Sequence, residues 1–164
     1  MMSFATADLY DANENNKNIQ VALPLFRSYG KKKQFKGQVV TLKCHEDNTL
    51  VGDILRKEDG TGKVLVVDGG GSLRCALVGD NIALAAIKNK WEGIIVYGCI
   101  RDATPINEME IGIRALGTNP TKTIKRNTGV QNESVNFANV NFENGSYVYV
   151  DEDGILISNT DLLP

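Results

Sequence analysis

Two short apolar runs, Val64-Leu65-Val66-Val67 and Ile94-Ile95-Val96-Tyr97, are rich in β-branched residues and bounded by glycine. Runs of that length and composition behave as strands buried on both faces, the habit of a parallel sheet. Between them Asn81 to Asn89 reads as a helix, with Asp80 as its N-cap and Lys88 and Lys90 suiting its C-terminal end. Strand, helix, strand makes a crossover unit, right-handed by strong default. In open α/β sheets ligands collect outside the carboxyl ends of the strands, so Asp68 to Ser72 and Gly98 to Asp102 are expected there. The helix start at Gly79-Asp80-Asn81 belongs nearby.

The flanking sequence fills out a mixed chain. Thr6 is placed to cap a short helix holding Leu9 and Tyr10, and Gly37 to Cys44 looks like a strand. Asn48 is placed to cap a helix whose Leu50, Val51, Ile54 and Leu55 share one face, and Glu58 to Gly62 breaks it. Ile106, Met109, Ile111 and Ile113 suggest a short helix and another strand, while Thr118 to Glu133 is polar enough for a loop. Beyond it Val135, Phe137, Val140, Phe142, Tyr147 to Val150 and Ile155 to Ile157 alternate with polar residues, as half-buried antiparallel strands do. Asn144-Gly145 and Asp153-Gly154 are expected to supply the positive φ that tight hairpins need.

At 164 residues the chain, 1–164, is most simply one domain, long enough to bury a core without staples. No apolar run approaches the roughly 20 residues needed to span a bilayer, and Met1 to Asp8 lacks the pattern of a signal peptide. A cytoplasmic protein is expected. Cys44, Cys75 and Cys99 are widely spaced and, with one histidine, His45, make no zinc pattern, so reduced and mostly buried thiols are expected. A net charge of only −2 argues against a nucleic-acid binder, although Lys31, Lys32, Lys33 and Lys36 form one basic knot that reads as a solvated loop.

Asp80 stands twenty residues ahead of Arg101-Asp102, and both ends of that interval follow an apolar run. From spacing alone, a helix cap and a loop ion pair remain as open as a binding site for a small acid and a metal. Asp68-Gly69-Gly70-Gly71-Ser72 is no P-loop, since Gly-Lys-Ser/Thr does not follow; a tight turn fits it better. No lysine stands out as a Schiff-base former, and His45 lacks a partner pattern.

The segments Val64 to Arg74, Ala76 to Asp80 and Trp91 to Asp102 resemble the RraA-like family. The resemblance extends through Pro24 to Phe26, Phe35 to Gly37, Lys43 to Asn48 and Tyr149 to Ile155, so it covers nearly the whole chain. Members of that family divide between a regulator that binds and inhibits ribonuclease E and a metal-dependent class II aldolase. The aldolase cleaves 4-hydroxy-4-methyl-2-oxoglutarate to two pyruvates and decarboxylates oxaloacetate. Its signature, Asp, twenty residues, Arg-Asp, is matched by Asp80, Arg101 and Asp102; reference regulators do not keep the second Asp. The resemblance implies an α/β, three-layer α/β/β swivelling-domain-like fold with a parallel βαβ core and C-terminal antiparallel hairpins. It also implies a homotrimer with its site near the subunit boundary. Longer aldolase relatives bring a further carboxylate from the neighbouring subunit, and no motif here places one.

Both reactions pass through the enolate of pyruvate, so a site must hold a 2-oxo acid and stabilise charge growing on its keto oxygen. Asp102 is a hard oxygen ligand suited to Mg²⁺ or Mn²⁺, and Asp80 is placed to orient waters on such a metal. The planar fork of Arg101 matches a carboxylate or enolate, which makes it the substrate clamp. The amides of Gly79, Asp80, Asn81 and Ile82, at a helix start, favour a substrate carboxylate. The rival expectations are a non-catalytic regulator binding ribonuclease E and a trimeric scaffold with a decayed site.

Overall fold

The computed structural model describes residues 3–164. Met1 and Met2, part of the stretch weighed above as a leader, lie outside them. The chain begins with α1 (Thr6–Ala12), β1 (Ile19–Val21), β2 (Arg27–Tyr29) and β3 (Phe35–Lys43). The parallel part follows as α2 (Thr49–Lys57), β4 (Lys63–Asp68), β5 (Ala76–Val78), α3 (Asp80–Lys88), β6 (Gly93–Ile100), α4 (Ala103–Ile106) and β7 (Ile113–Thr118). Five short strands close it: β8 (Val130–Gln131), β9 (Val135–Phe137), β10 (Val140–Phe142), β11 (Tyr147–Val150) and β12 (Ile155–Ser158).

The expected crossover is β4-α3-β6, and it is the middle of three. Parallel pairings link β3 to β4, β4 to β6 and β6 to β7. Antiparallel strands extend both sides, giving the order β1-β12-β11-β3-β4-β6-β7-β2, with β5 against β6 and β8 against β3. Because successive side chains of a strand point to opposite faces, the fully apolar central strands serve two cores. Leu65, Val67, Ile94 and Val96 pack with α2 and α3, whereas Val64, Val66 and Ile95 pack with the small sheet formed by β9 and β10. Helices, main sheet and second sheet make the three-layer α/β/β arrangement that the sequence led us to expect.

Several local expectations are corrected. Thr6 does not cap α1; Ala5 holds that position, and the Thr6 N–H and Oγ1 both donate to Asp151 at 2.7 Å. Asn48 does sit at the start of α2, but the carboxylate that serves this turn belongs to Asp47, which accepts from the Thr49 N–H at 3.0 Å. Gly145 has φ +87°, yet it joins strands that do not pair, since β10 pairs with β9 and β11 with β3 and β12. The β11–β12 hairpin over Asp151 to Gly154 forms without a positive φ. The two-residue hairpin lies instead at Ala138-Asn139, with φ of 52° and 62°, the left-handed pair of a type I′ turn. The three cysteines are buried and free, as expected, and burial pushes the Cys44 thiol up to about 12. Among the described residues no helix is long and apolar enough to cross a membrane.

Candidate active site

Strands β5 and β6 run parallel and end together, and the Arg101 N–H donates to the Val78 carbonyl at 2.9 Å. Gly79-Asp80 and Arg101-Asp102, more than twenty residues apart in sequence, therefore leave neighbouring strand ends side by side. Asp80 is the first residue of α3 and Gly79 its N-cap, which corrects the assignment of Asp80 as the cap. The capping carboxylate comes from Asp102, whose Oδ2 accepts the Asp80 N–H at 3.0 Å. It gets there because Asp102 adopts the left-handed conformation, φ 58° and ψ 40°, which Asp tolerates better than most side chains. A Cβ at Gly79 would stand 2.9 Å from that same Oδ2 and 3.5 Å from Arg101 Nε. Glycine there is what lets the carboxylate and the guanidinium close over the helix start.

Of the four amides expected to hold an anion, two are engaged within the protein. The Asp80 N–H goes to Asp102, and the Asn81 N–H goes to Asp80 Oδ1 at 2.7 Å. The Gly79 and Ile82 N–H groups have no acceptor among the described residues, and the positive end of the helix dipole lies there as well.

Opposite α3 stands the loop between β7 and β8. The sequence shows it only as polar, and the structure ties it down at several points. The Asn119 N–H donates to Ile100 O at 2.9 Å, and the Ala76 N–H to Thr121 O at 2.8 Å. Asp47, fully buried, anchors the far end. One of its oxygens accepts from the Thr49 hydroxyl and N–H, at 2.6 and 3.0 Å. The other accepts from the Arg126 N–H at 2.8 Å and from the Thr128 N–H and hydroxyl at 3.1 Å each. Burial raises the pKa of such a carboxyl, but the hydrogen bonds from Thr49, Thr128 and Arg126 outweigh it and hold Asp47 well below the carboxylate range. The loop in turn orients Arg101, whose Nη1 donates to Pro120 O at 3.3 Å.

The result is an open cleft of about 280 Å³. It brings together Gly79, Asp80, Asn81, Ile82, Arg101 and Asp102, all six residues singled out in the sequence. It also receives Arg56 from α2 and Lys122 and Lys125 from the tethered loop, which the sequence did not flag. Four cations against Asp80 and Asp102 leave two excess positive charges in the cleft of a chain whose net charge is −2. None of the four forms an ion pair among the described residues. Asp68 to Ser72 lies outside the cleft. Asp68 Oδ1 accepts the Gly70 N–H at 2.9 Å in the expected tight turn. Beside it Arg74 grips Glu46 with two hydrogen bonds, at 2.6 and 2.8 Å; these and the Ser72 hydroxyl hold the Glu46 carboxyl down to about 2. That cluster is self-satisfied.

The donors present suit a hard divalent cation. Asp102 Oδ1 and Asp80 Oδ2 accept no hydrogen bond from the described residues and belong to a water-accessible cleft. No group of three or more His, Cys, Asp or Glu gathers anywhere among the described residues, so a closed all-protein cage is absent. One or two carboxylates completed by water and substrate oxygens is the usual pattern for Mg²⁺.

The family model described as RraA-like, aldolase/RraA, matches residues 6–157. A protein of Dechloromonas aromatica (strain RCB), provisionally named 4-hydroxy-4-methyl-2-oxoglutarate aldolase, is 55% identical over 159 residues, 96% of this chain and 97% of its own. A crystal structure from Geobacillus kaustophilus, described as an S-adenosylmethionine:2-dimethylmenaquinone methyltransferase, superposes with a TM-score of 0.93 at 43% identity over 98% of both chains. The RNA-processing inhibitor RraA from Thermus thermophilis does so with a TM-score of 0.91 at 39% identity, over 96% of this chain and 94% of its own. The motif, the layered fold and these near full-length likenesses agree: the chain belongs to the RraA-like family.

Proposed function

We propose that the cleft is the active site of a metal-dependent class II aldolase that cleaves 4-hydroxy-4-methyl-2-oxoglutarate to two pyruvates. The observation that carries this reading is the convergence of Arg101, Asp102 and the free amides of α3 in one cation-rich cleft. The name borne by the Dechloromonas relative points the same way.

The Gly79 and Ile82 amides hold the C1 carboxylate, and the fork of Arg101 faces the keto oxygen. In the retro-aldol step the 4-hydroxyl loses its proton and the C3–C4 bond breaks, its electron pair passing toward the C2 oxygen. The two fragments are pyruvate and the enolate of pyruvate, which then takes a proton at C3. Arg101 stabilises the charge as it develops, the contribution that matters most to rate. Asp80, with one oxygen free, orients the water that accepts the hydroxyl proton. A divalent cation, Mg²⁺ or Mn²⁺, held by Asp102 would supply Lewis-acid polarisation of the keto oxygen. Oxaloacetate reaches the same enolate by losing CO₂, so decarboxylation is an expected side activity.

The likeness to the Thermus inhibitor favours a second reading, a regulator that binds ribonuclease E. We take the aldolase first because of Asp102, the residue that reference regulators do not keep. The homotrimer implied by the resemblance belongs to the same proposal. Pyruvate release from 4-hydroxy-4-methyl-2-oxoglutarate, with Mg²⁺ and with a chelator, tests the reading. Metal-dependent release supports it; no release above the background of free metal would transfer the proposal to ribonuclease E binding.

A further inference from the structure

We propose that a cavity at the opposite end of β7 from the cleft is a second binding site, built around Arg114 for an α-amino acid with an apolar side chain. The inference goes beyond the aldolase reading and does not rest on it. Arg114 stands near the start of β7, whose last residue, Thr118, pairs with Ile100 beside the cleft. The two cavities share no lining residue.

The cavity, of about 250 Å³, brings a buried cation, free carboxylates and an apolar wall together. The cation is Arg114, only 5% exposed. A guanidinium stays charged inside a protein, and a buried charge is costly unless a partner offsets it. Arg114 has no carboxylate within ion-pair distance among the described residues. Its Nη2 donates to the carbonyls of Lys33 and Asp151 at 2.8 and 3.3 Å, its Nη1 donates to Ile113 O at 3.4 Å, and the group lies 5.5 Å from the centre of the Phe35 ring. Carbonyls and a ring face orient the guanidinium without neutralising it, and the Nε–H has no acceptor among the described residues. The Asp151 carboxylate is taken up elsewhere, by the Thr6 N–H and hydroxyl at 2.7 Å each and the Asp153 N–H at 2.9 Å. Burial accordingly pulls the Arg114 pKa below its ordinary value, and the carboxylates of Asp151 and Glu152 offset this only in part.

The second cation of the lining, Lys33, turns its Nζ to Gly30 O at 2.8 Å. Glu152 and Asp153 are exposed on the same lining and form no ion pair among the described residues. Leu23, Pro24, Phe26 and Ile155 supply the apolar wall. A plain carboxylate would meet Glu152 and Asp153 as like charges, and a plain amine would meet Arg114 as one. A ligand with both charges on one carbon answers the buried cation and the outer carboxylates together, and an apolar side chain covers the wall. An apolar α-amino acid has that combination.

The test is a binding titration followed by nuclear magnetic resonance, with L-leucine, 4-methylpentanoate and 3-methylbutylamine as probes. The two analogues keep the leucine skeleton and lack its ammonium and its carboxylate respectively. Leucine should shift the backbone amides of Ser28, Arg114 and Ile155 and bind about tenfold or more tightly than either analogue. Arg114→Met should lose about tenfold or more of the affinity for leucine without weakening that for 3-methylbutylamine. The double variant E152Q/D153N, at two exposed positions, should erase the preference for leucine over 4-methylpentanoate, and it decides the matter if Arg114→Met does not fold. Absence of leucine shifts at those three amides, an analogue bound as tightly as leucine by wild type, or a preference that survives E152Q/D153N would overturn the site.

Discussion

On the hairpin side of the sheet Phe137 is stacked between Tyr97 and Phe142, at centroid separations of 4.9 and 4.7 Å, with Phe26 edge-on at 5.9 Å. On the helix side, at the carboxyl ends of β5 and β6, the same sheet opens into a cleft whose side chains are held by hydrogen bonds to backbone atoms. The first region is cohesive because its surfaces are apolar and need no directional partner. The second is ordered because each polar group is aimed by another: Asp102 by the Asp80 amide, Arg101 by the Pro120 carbonyl, and the cation-bearing loop by Asp47. Stability and chemistry should therefore respond to different substitutions, and changes at four positions test how cleanly they separate.

Phe142 is fully buried, and Phe142→Ala should cost roughly 4 kcal/mol of stability while leaving kcat of the folded fraction unchanged; thermal melting beside an activity assay reads both. Arg101→Ala is the mirror image. It should lower kcat/KM by about 150- to 900-fold, a loss of about 3 to 4 kcal/mol of transition-state stabilisation, with an unchanged melting temperature. Asp47→Ala should blur the separation, because it removes the buried acceptor on which the Thr49, Arg126 and Thr128 donors converge and so frees the loop. About 3 kcal/mol of stability should go, and KM for the dicarboxylate should rise with it. The sign with pH follows from the depressed pKa of the folded state. The stabilisation by Asp47 is present above the ordinary carboxyl pKa of about 3.9 and fades as pH falls through the lower folded value. Acid unfolding of wild type should thus show a limb below about pH 4 that Asp47→Asn lacks. Gly79→Ala should have the smallest effect, about 2 kcal/mol in kcat/KM with little change in melting, because the added methyl group displaces Asp102 rather than any core atom.

What was legible in the sequence follows the same divide. The parallel strands and α3 were readable because burial on both faces writes continuous apolar runs at Val64 to Val67 and Ile94 to Tyr97; the three-layer plan was legible only through the resemblance to the RraA-like family. Asp80, Arg101 and Asp102 were readable through a spacing specific to one family, and the structure brings them into one cleft. Asp102 as the cap of α3 was not, since it depends on a left-handed residue from another strand end reaching across. Lys122 and Lys125 were hidden because nothing local in Thr118 to Glu133 tells that a carboxylate about eighty positions earlier, Asp47, folds it back. Turn chemistry misled in two places: Asn144-Gly145 looked like a hairpin, but Ala138-Asn139 makes one with no glycine at all, and the β11–β12 hairpin at Asp153-Gly154 closes without the expected positive φ.

The measurement that tests the central claim most directly is a crystal structure of the protein grown with Mn²⁺ and oxalate, a planar mimic of the pyruvate enolate, with anomalous scattering used to locate the metal. The account predicts a manganese peak bonded to Asp102 at about 2.2 Å, with oxalate spanning Arg101 and the Gly79 and Ile82 amides. Manganese bound at another group of residues, or oxalate elsewhere with Asp102 still turned only to the Asp80 amide, would contradict it.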